Sequence, residues 1–252
     1  MKKINFIIIF SAVIVYITPL AYSQNIVYHD AVMLTTGKTI LHDNSNVAIF
    51  GFSSSIFKPF GLPSRTLYAN EGDSVVILAH NHSRDPHTVH LHGTDADTRN
   101  DGDPMTSFVI DHDEDTTYSF RANHAGTYIY HCHFQDVLHL QMGMYGLLII
   151  KAANGAKTAW TGGPAYTKEY AWLTSELDKF WHDTYEVIDA GHSNSLKHPK
   201  YLPKYFLING KSQQQLEDTT ISLSGNVGDK IYLRLANIGF YINNILVFVL
   251  SN

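Results

Sequence analysis

Short runs of alternating hydrophobic and polar residues recur along this chain. Thr116–Arg121 alternates at every second position, and the runs 74–79, 126–130 and 145–151 are short, apolar and rich in β-branched or aromatic residues. A period of two is typical of half-buried β-strands, and the glycine, aspartate and asparagine residues between the runs indicate turns. Many short strands separated in this way predict an all-β chain folded as a Greek-key β-sandwich.

A repeated sequence extends this pattern into the second half of the chain. Residues 72–81 (GDSVVILAHN) align with residues 228–237 (GDKIYLRLAN), 156 positions later. Residues 154–202 are irregular and contain Gly162-Gly163-Pro164 and Pro199, with strand or helix predicted only around 169–188. We therefore expect a complete domain at 24–153, an inter-domain segment at 154–203 and a partial second domain at 204–252.

The first 23 residues have the pattern of a secretory signal peptide. Lys2 and Lys3 precede an apolar run, and Ala21 and Ser23 are small residues at the positions required for cleavage before Gln24. The alternative is an uncleaved membrane anchor, but the run is short and ends at Pro19. We expect a secreted or periplasmic protein with no membrane attachment after cleavage.

The composition of the chain adds one feature to this pattern, which is its large number of histidines. A net charge of −5 gives no reason to expect nucleic acid as a partner. The chain has 15 histidines, of which ten fall between residues 80 and 139. It has one cysteine, which cannot form an internal disulfide in an exported protein, so metal ligation is the interpretation we favour for it.

That cysteine, Cys132, lies between His131 and His133 and is followed by His139 and Met144. Thiolate and thioether ligands beside imidazoles favour copper, and two histidines, one cysteine and a weak axial methionine form a blue-copper site. The missing histidine has a candidate in His87, at the start of the sequence HTVHLHG. A zinc site and a buried cysteine with unrelated histidines remain as alternatives.

These motifs resemble those of the multicopper oxidases in their two-domain, laccase-like form, over roughly residues 45–151. The family pattern HxxHxHG stands here at 87–93, and the pattern HCH…H…M stands at 131–144, with two extra residues between the cysteine and the next histidine. The resemblance implies a cupredoxin-like fold and two sets of copper ligands. The type 1 copper ligands would be His87, Cys132, His139 and Met144. The ligands of a type 2/type 3 cluster would be His90, His92, His131 and His133.

The resemblance also implies a function. A small-molecule or metal-ion donor would give single electrons to the type 1 copper, Cys132 and the adjacent His131 and His133 would relay them, and O₂ would be reduced to water. The other half of the cluster would come from a neighbouring subunit of a homotrimer. A copper-dependent nitrite reductase is a further option. In that family the copper-binding cysteine is not normally followed directly by histidine, so His133 argues against it.

The second half of the chain lacks the corresponding ligands. At the repeat offset, His87, His90 and His92 align with Asn243, Leu246 and Phe248. We therefore expect an incomplete second domain, as in a truncated or frame-shifted product, and the alternative function is a non-enzymatic cupredoxin that binds copper or transfers electrons. His80 and His82 also alternate, and we interpret them as surface or second-shell residues in preference to ligands.

Overall fold

The structure is a computed structural model, and it describes residues 25–188 and 198–241. The predicted signal peptide lies outside the described residues, as do the positions that align with the copper histidines at the repeat offset. Within the described ranges, no helix is both long and apolar enough to cross a membrane.

Two four-stranded sheets form the first unit. The first sheet contains β1 (Ile26–Ile40), β2 (Asn46–Ser53), β4 (Ser74–Asn81) and β6 (Asp115–Arg121), in the order β2-β1-β4-β6. The second contains β3 (Leu67–Asn70), β5 (His90–His92), β7 (Gly126–His131) and β8 (Tyr145–Lys151), in the order β3-β8-β7-β5. All four strands that the sequence predicted at 74–79, 116–121, 126–130 and 145–151 are present, and the all-β prediction is confirmed.

The two sheets enclose one hydrophobic core, which continues up to the predicted copper ligands. Met33, Ile77 and Tyr118 come from the first sheet, and Tyr130 and Leu148 from the second. Side chains alternate along each strand, so every second residue enters this core and its neighbours face outward. The same cluster contains Cys132, Met142 and Met144.

A seven-residue helix, α1 (Asp136–Met142), connects β7 to β8. It begins between Cys132 and His139, where the sequence has two residues more than the family pattern, and it carries His139. Gly143 ends the helix at φ +112°, a left-handed conformation that favours glycine. A Cβ atom at this position would lie 2.8 Å from the Leu62 side chain, so the chain can turn back into β8 here only because the residue is glycine.

A third sheet follows, in the order β10-β9-β11, from β9 (Lys168–Leu177), β10 (Tyr205–Ile208) and β11 (Ile231–Asn237). Helix α2 (Lys179–Ile188) follows β9 and contacts β2. Two short 3₁₀ helices lie at Ala153–Gly155 and Gln213–Glu217.

The third sheet repeats the connectivity of three strands of the first. Strand β9 pairs antiparallel with β10 and parallel with β11, as β1 pairs antiparallel with β2 and parallel with β4. The preceding turns also match, because the Oδ2 atoms of Asp73 and Asp229 each accept a 2.8 Å hydrogen bond from the amide of an asparagine three residues earlier. The repeated decapeptide thus belongs to a repeated three-stranded unit. Because β9 hydrogen-bonds to both β10 and β11 and lies within 154–203, we propose to move the start of the second unit from 204 to Lys168.

Candidate metal centres

Strand pairing brings the two halves of the first candidate centre together. Strand β5 pairs antiparallel with β7, with His90 opposite His131 and Leu91 opposite Tyr130. The side chain of His131, the last residue of β7, lies on the same side of the chain as that of His133. Cys132 between them enters the core, as alternation in an extended chain requires. The HxxHxHG and HCH motifs are therefore neighbours in space and present two groups of ligands on opposite sides of the chain.

On the core side, His87, Cys132 and His139 are all fully buried. The Nδ1 atoms of His87 and His139 are 3.2 Å apart, and the Cys132 Sγ atom lies 3.5 Å from the first and 3.3 Å from the second. Met144 is fully buried beside them, and its carbonyl accepts the Cys132 amide hydrogen at 3.0 Å. The structure thus brings together all four residues that the sequence assigned to type 1 copper.

Hydrogen bonds fix which nitrogen of His87 faces this group. The Asn81 amide nitrogen donates to the carbonyls of Asp85 and Ile110, so its oxygen faces Ser83 and accepts the Ser83 hydroxyl hydrogen at 2.9 Å. The Ser83 Oγ atom is then an acceptor for His87 Nε2–H, at 2.6 Å. A neutral imidazole that donates from Nε2 has its lone pair on Nδ1, so His87 presents a ligand atom toward Cys132.

Burial keeps the two imidazoles and the thiol of this group neutral. It lowers the pKa of His87 well below its ordinary value, lowers that of His139 to about 4 and raises that of Cys132 to about 12. The Nε2 atom of His139 has no hydrogen-bond partner among the described residues. The Nδ1 atoms of two buried imidazoles converge on a buried thiol and fit a soft cation that displaces the thiol proton, so the residues present fit copper.

On the opposite side, four imidazoles form a second group. The ligand atoms of His90, His92 and His131 lie within 4.8 Å of one another. The His133 ring centre is 4.9 Å from that of His90 and 5.5 Å from that of His131. His131 is buried, His90 and His133 are half-buried, and His92 is exposed. The group is therefore open on the His92 side.

Backbone carbonyls orient two of these imidazoles. The Nδ1 atom of His90 lies 2.6 Å from the Asp101 carbonyl, and that of His131 lies 2.9 Å from the Cys132 carbonyl. A carbonyl can only accept, so each Nδ1 donates its hydrogen and each Nε2 keeps a lone pair for a metal. Burial lowers the pKa of His131 to about 4, which keeps its imidazole neutral.

Several residues that support the two groups were not predicted from the sequence. Ser83 and Asn81 position His87 but belong to no motif. Gly102, in the Asn100-Asp101-Gly102 segment, has a φ of +73°, and a Cβ atom there would lie 2.1 Å from the Val89 carbonyl oxygen. The Asp101 side chain accepts the Asp103 amide hydrogen at 3.0 Å, as an aspartate in a turn commonly does.

Comparison with known proteins identifies the relatives of this chain. Residues 59–155 match the family model of the multicopper oxidases. The chain is 37% identical over 93 residues to copper resistance protein A of Escherichia coli, covering 36% of the chain and 15% of that protein. It is 30% identical over 172 residues to L-ascorbate oxidase of Cucumis sativus, covering 67% of the chain and 27% of that protein.

Among solved structures, a blue copper oxidase from Nitrosomonas europaea aligns with a TM-score of 0.68 and 27% identity, covering 85% of this chain and 62% of that one. The chain therefore spans only part of the length of these relatives. The match to this family implies that the chain binds copper. Residues 59–155 are a multicopper oxidase domain with the cupredoxin fold, and the chain is a relative of the multicopper oxidases.

Proposed function

We propose that this chain is a secreted or periplasmic, laccase-like multicopper oxidase that oxidises its donor one electron at a time and reduces O₂ to water. In this proposal, His87, Cys132, His139 and Met144 hold a type 1 copper. His90, His92, His131 and His133 hold their share of a type 2/type 3 cluster. Bound copper would supply one-electron redox chemistry in the first group and four-electron reduction of O₂ in the second.

The observation that carries the proposal is the direct covalent connection between the two groups. Cys132 belongs to the buried group, and its immediate neighbours His131 and His133 belong to the four-imidazole group. An electron that leaves the Cys132 thiolate therefore crosses a few covalent bonds to reach either imidazole. An electron carrier with a single metal site would have no use for this second group.

The open side of the four-imidazole group supports a further part of the proposal. A complete cluster in this family needs two additional HxH pairs, and residues 25–188 and 198–241 contain none that faces this group. We propose that a neighbouring subunit of a homotrimer completes the cluster beside the exposed His92. The donor would be a small molecule or a metal ion.

The same open side favours a second candidate function. If no partner completes the four-imidazole group, the chain is a cupredoxin that binds copper or transfers electrons without reducing O₂. The two functions differ in their reaction with O₂ and not in their colour, because the buried group is the same in both.

Oxygen uptake by copper-loaded protein with a one-electron donor separates the two functions. An oxidase consumes one O₂ for every four electrons from the donor, and the double variant His131→Gln/His133→Gln loses this uptake. The matched control is His124→Gln, which changes an exposed histidine paired with Asp95 at 2.7 Å. Donor-dependent bleaching with no O₂ uptake in the wild-type protein would instead select the electron-transfer function.

A further inference from the structure

A third group of imidazoles and carboxylates lies outside both candidate copper centres. Two of its members, His80 and His82, come from the end of β4 and the residue that follows it. Their ligand atoms and those of Asp113 all lie within 4.8 Å of one another. His80 and His82 are two residues apart and face the same side, with stacked rings 5.8 Å apart.

His80 already has the hydrogen bond that metal-bound histidines commonly make. Strand β6 pairs with β4 so that Asp115 lies opposite His80, and the Asp115 carboxylate is 2.7 Å from His80 Nδ1. A carboxylate accepts, so Nδ1 donates and Nε2 keeps its lone pair. A carboxylate that holds the remote nitrogen of an imidazole fixes the orientation of the ring and makes the other nitrogen a stronger ligand.

Asp113 lies between two imidazoles. Its Oδ1 atom is 3.6 Å from His82 Nδ1, and its Oδ2 atom is 3.3 Å from His112 Nε2. The Nδ1 atom of His112 is 2.7 Å from the Ser83 carbonyl and donates its hydrogen there, so Nε2 is the nitrogen that faces the Asp113 carboxylate. A third imidazole therefore lies beside the carboxylate that His82 approaches.

The backbone holds this carboxylate in place. Asp113 has a φ of +58° and donates its amide hydrogen to the Asn81 carbonyl at 2.8 Å, while the Asn81 amide donates to the Glu114 carbonyl at 3.0 Å. The turn that carries Asp113 is thus hydrogen-bonded to the residue between His80 and His82. The imidazoles and the carboxylate therefore come from two segments whose separation is fixed, as a preorganised metal site requires.

We propose that His80, His82 and Asp113 bind one divalent transition-metal ion at the surface of this chain. His112 lies at the second carboxylate oxygen, and Asp115 orients His80. Two imidazoles with one carboxylate suit Zn²⁺, Cu²⁺ or Ni²⁺, whereas Ca²⁺ and Mg²⁺ prefer oxygen ligands alone. His82 and Asp113 are about half exposed, so the ion exchanges with solvent, unlike one held by the fully buried Cys132.

Zn²⁺ is the probe that tests this site, because it is redox-inert and leaves the oxidation state of bound copper unchanged. Copper-loaded protein is first dialysed against a chelator, because such a site binds Cu²⁺ more tightly than Zn²⁺ and exchangeable copper must be removed from it. The protein is then titrated with Zn²⁺ by calorimetry, and bound zinc is counted after removal of free metal. We expect the wild-type protein to bind one more equivalent than His80→Gln/His82→Gln. His124→Gln, which changes the exposed His124–Asp95 pair, keeps that equivalent.

A second variant distinguishes the loss of a metal ligand from a folding defect. Asp113→Asn keeps both imidazoles, and asparagine tolerates the positive φ of this position, so we expect an intact fold with Zn²⁺ affinity reduced at least tenfold. Equal zinc content in the wild-type protein and the double histidine variant would overturn the proposal. Unchanged affinity in Asp113→Asn, or no zinc bound by the wild-type protein, would overturn it as well.

Discussion

At the scale of single residues, the buried ligand group depends on neighbours that cannot themselves bind copper. Ser83 accepts the Nε2 hydrogen of His87, and this bond directs the Nδ1 lone pair toward Cys132. Gly102 allows its turn to lie against the backbone of Val89 and His90. The two positions illustrate how a metal site depends on groups around its ligands.

Ser83→Ala is expected to destabilise the protein without removing the blue copper. The substitution leaves the His87 Nε2–H group buried without an acceptor, which costs about 1–3 kcal/mol of unfolding free energy. Urea unfolding measures this cost, and Ser107→Ala is the control, because the Ser107 hydroxyl makes one exposed hydrogen bond to the Arg99 carbonyl. Equal losses in the two variants would contradict the role given to Ser83.

Gly102→Ala is expected to cost about 3 kcal/mol or more, since it adds a clash with Val89 to the strain of a left-handed conformation. The matched control is Gly162→Ala, where φ is +79° but a Cβ atom would meet nothing within 4 Å. The control retains the strain and removes the clash, so it isolates the close approach. Similar unfolding free energies for both variants would show that the turn is not held against β5.

At the scale of elements, helices α1 and α2 connect the copper-binding region to the rest of the chain. Helix α1 carries His139, and α2 covers strand β2 through Trp181, Tyr185 and His182. The His182 Nδ1 atom donates to the Ala48 carbonyl at 2.6 Å, and the residue is almost completely buried. This imidazole joins α2 to the first sheet and lies outside both ligand groups.

Folding stability should therefore depend on the protonation of His182. Burial lowers its pKa below the ordinary value of about 6.5, so the unfolded chain binds a proton there more readily than the folded chain. The stability that the neutral His182 imidazole contributes is fully present above the pKa of this residue in the unfolded chain. It is lost as the pH falls below that pKa, by at most about 1.4 kcal/mol per pH unit.

Urea unfolding of copper-loaded protein at pH 7.5 and pH 5.5 (about one unit either side of the unfolded pKa) measures this effect. In His182→Asn, the side-chain amide can replace the hydrogen bond to Ala48 without titrating, so its stability should vary less between the two pH values than that of the wild-type protein. His124→Asn is the exposed control. An identical pH dependence in the wild-type protein and His182→Asn would refute this account of α2.

At the scale of the whole molecule, the third sheet is linked to strand β7 by a buried arginine that also forms an ion pair within the third sheet. Arg234, on β11, is fully buried at its side chain and donates to the Glu169 carboxylate at 2.6 Å. It also donates to the Gly126 carbonyl and the Thr127 hydroxyl at the start of β7. The strand that leads to His131 and Cys132 is therefore held by the repeated unit as well as by its own sheet.

Arg234→Leu is expected to lower the unfolding free energy by about 1–3 kcal/mol, because the Glu169 carboxylate loses its buried partner and keeps only the partly exposed Lys151, at 3.5 Å. Adding Glu169→Leu should recover part of this loss, since it removes the partly desolvated carboxylate. Urea unfolding of the two variants gives the comparison. If the double variant is as unstable as the single one, the pair does not act as a unit.

The sequence predicted the features that depend on local pattern. Alternation in Thr116–Arg121 identified β6, and the HxxHxHG and HCH…H…M motifs predicted the two groups of side chains that lie together in the structure. Strand β1 was not predicted, because a register shift between Leu34 and Gly37 interrupts its pairing and its burial does not alternate regularly. Asp113 gave no signal as a ligand either, because its proximity to His82 arises only from the pairing of β4 with β6.

The visible absorption and copper content of purified, copper-loaded protein test whether Cys132 binds a type 1 copper. We expect an intense blue band that a reductant bleaches. In Cys132→Ser we expect no such band, one copper fewer and an unchanged circular dichroism spectrum. Cys132 is the only cysteine in this chain, so a blue band from copper bound to a thiolate must come from it. A copper-loaded wild-type protein without a blue band, or a Cys132→Ser variant that retains it, would contradict the assignment.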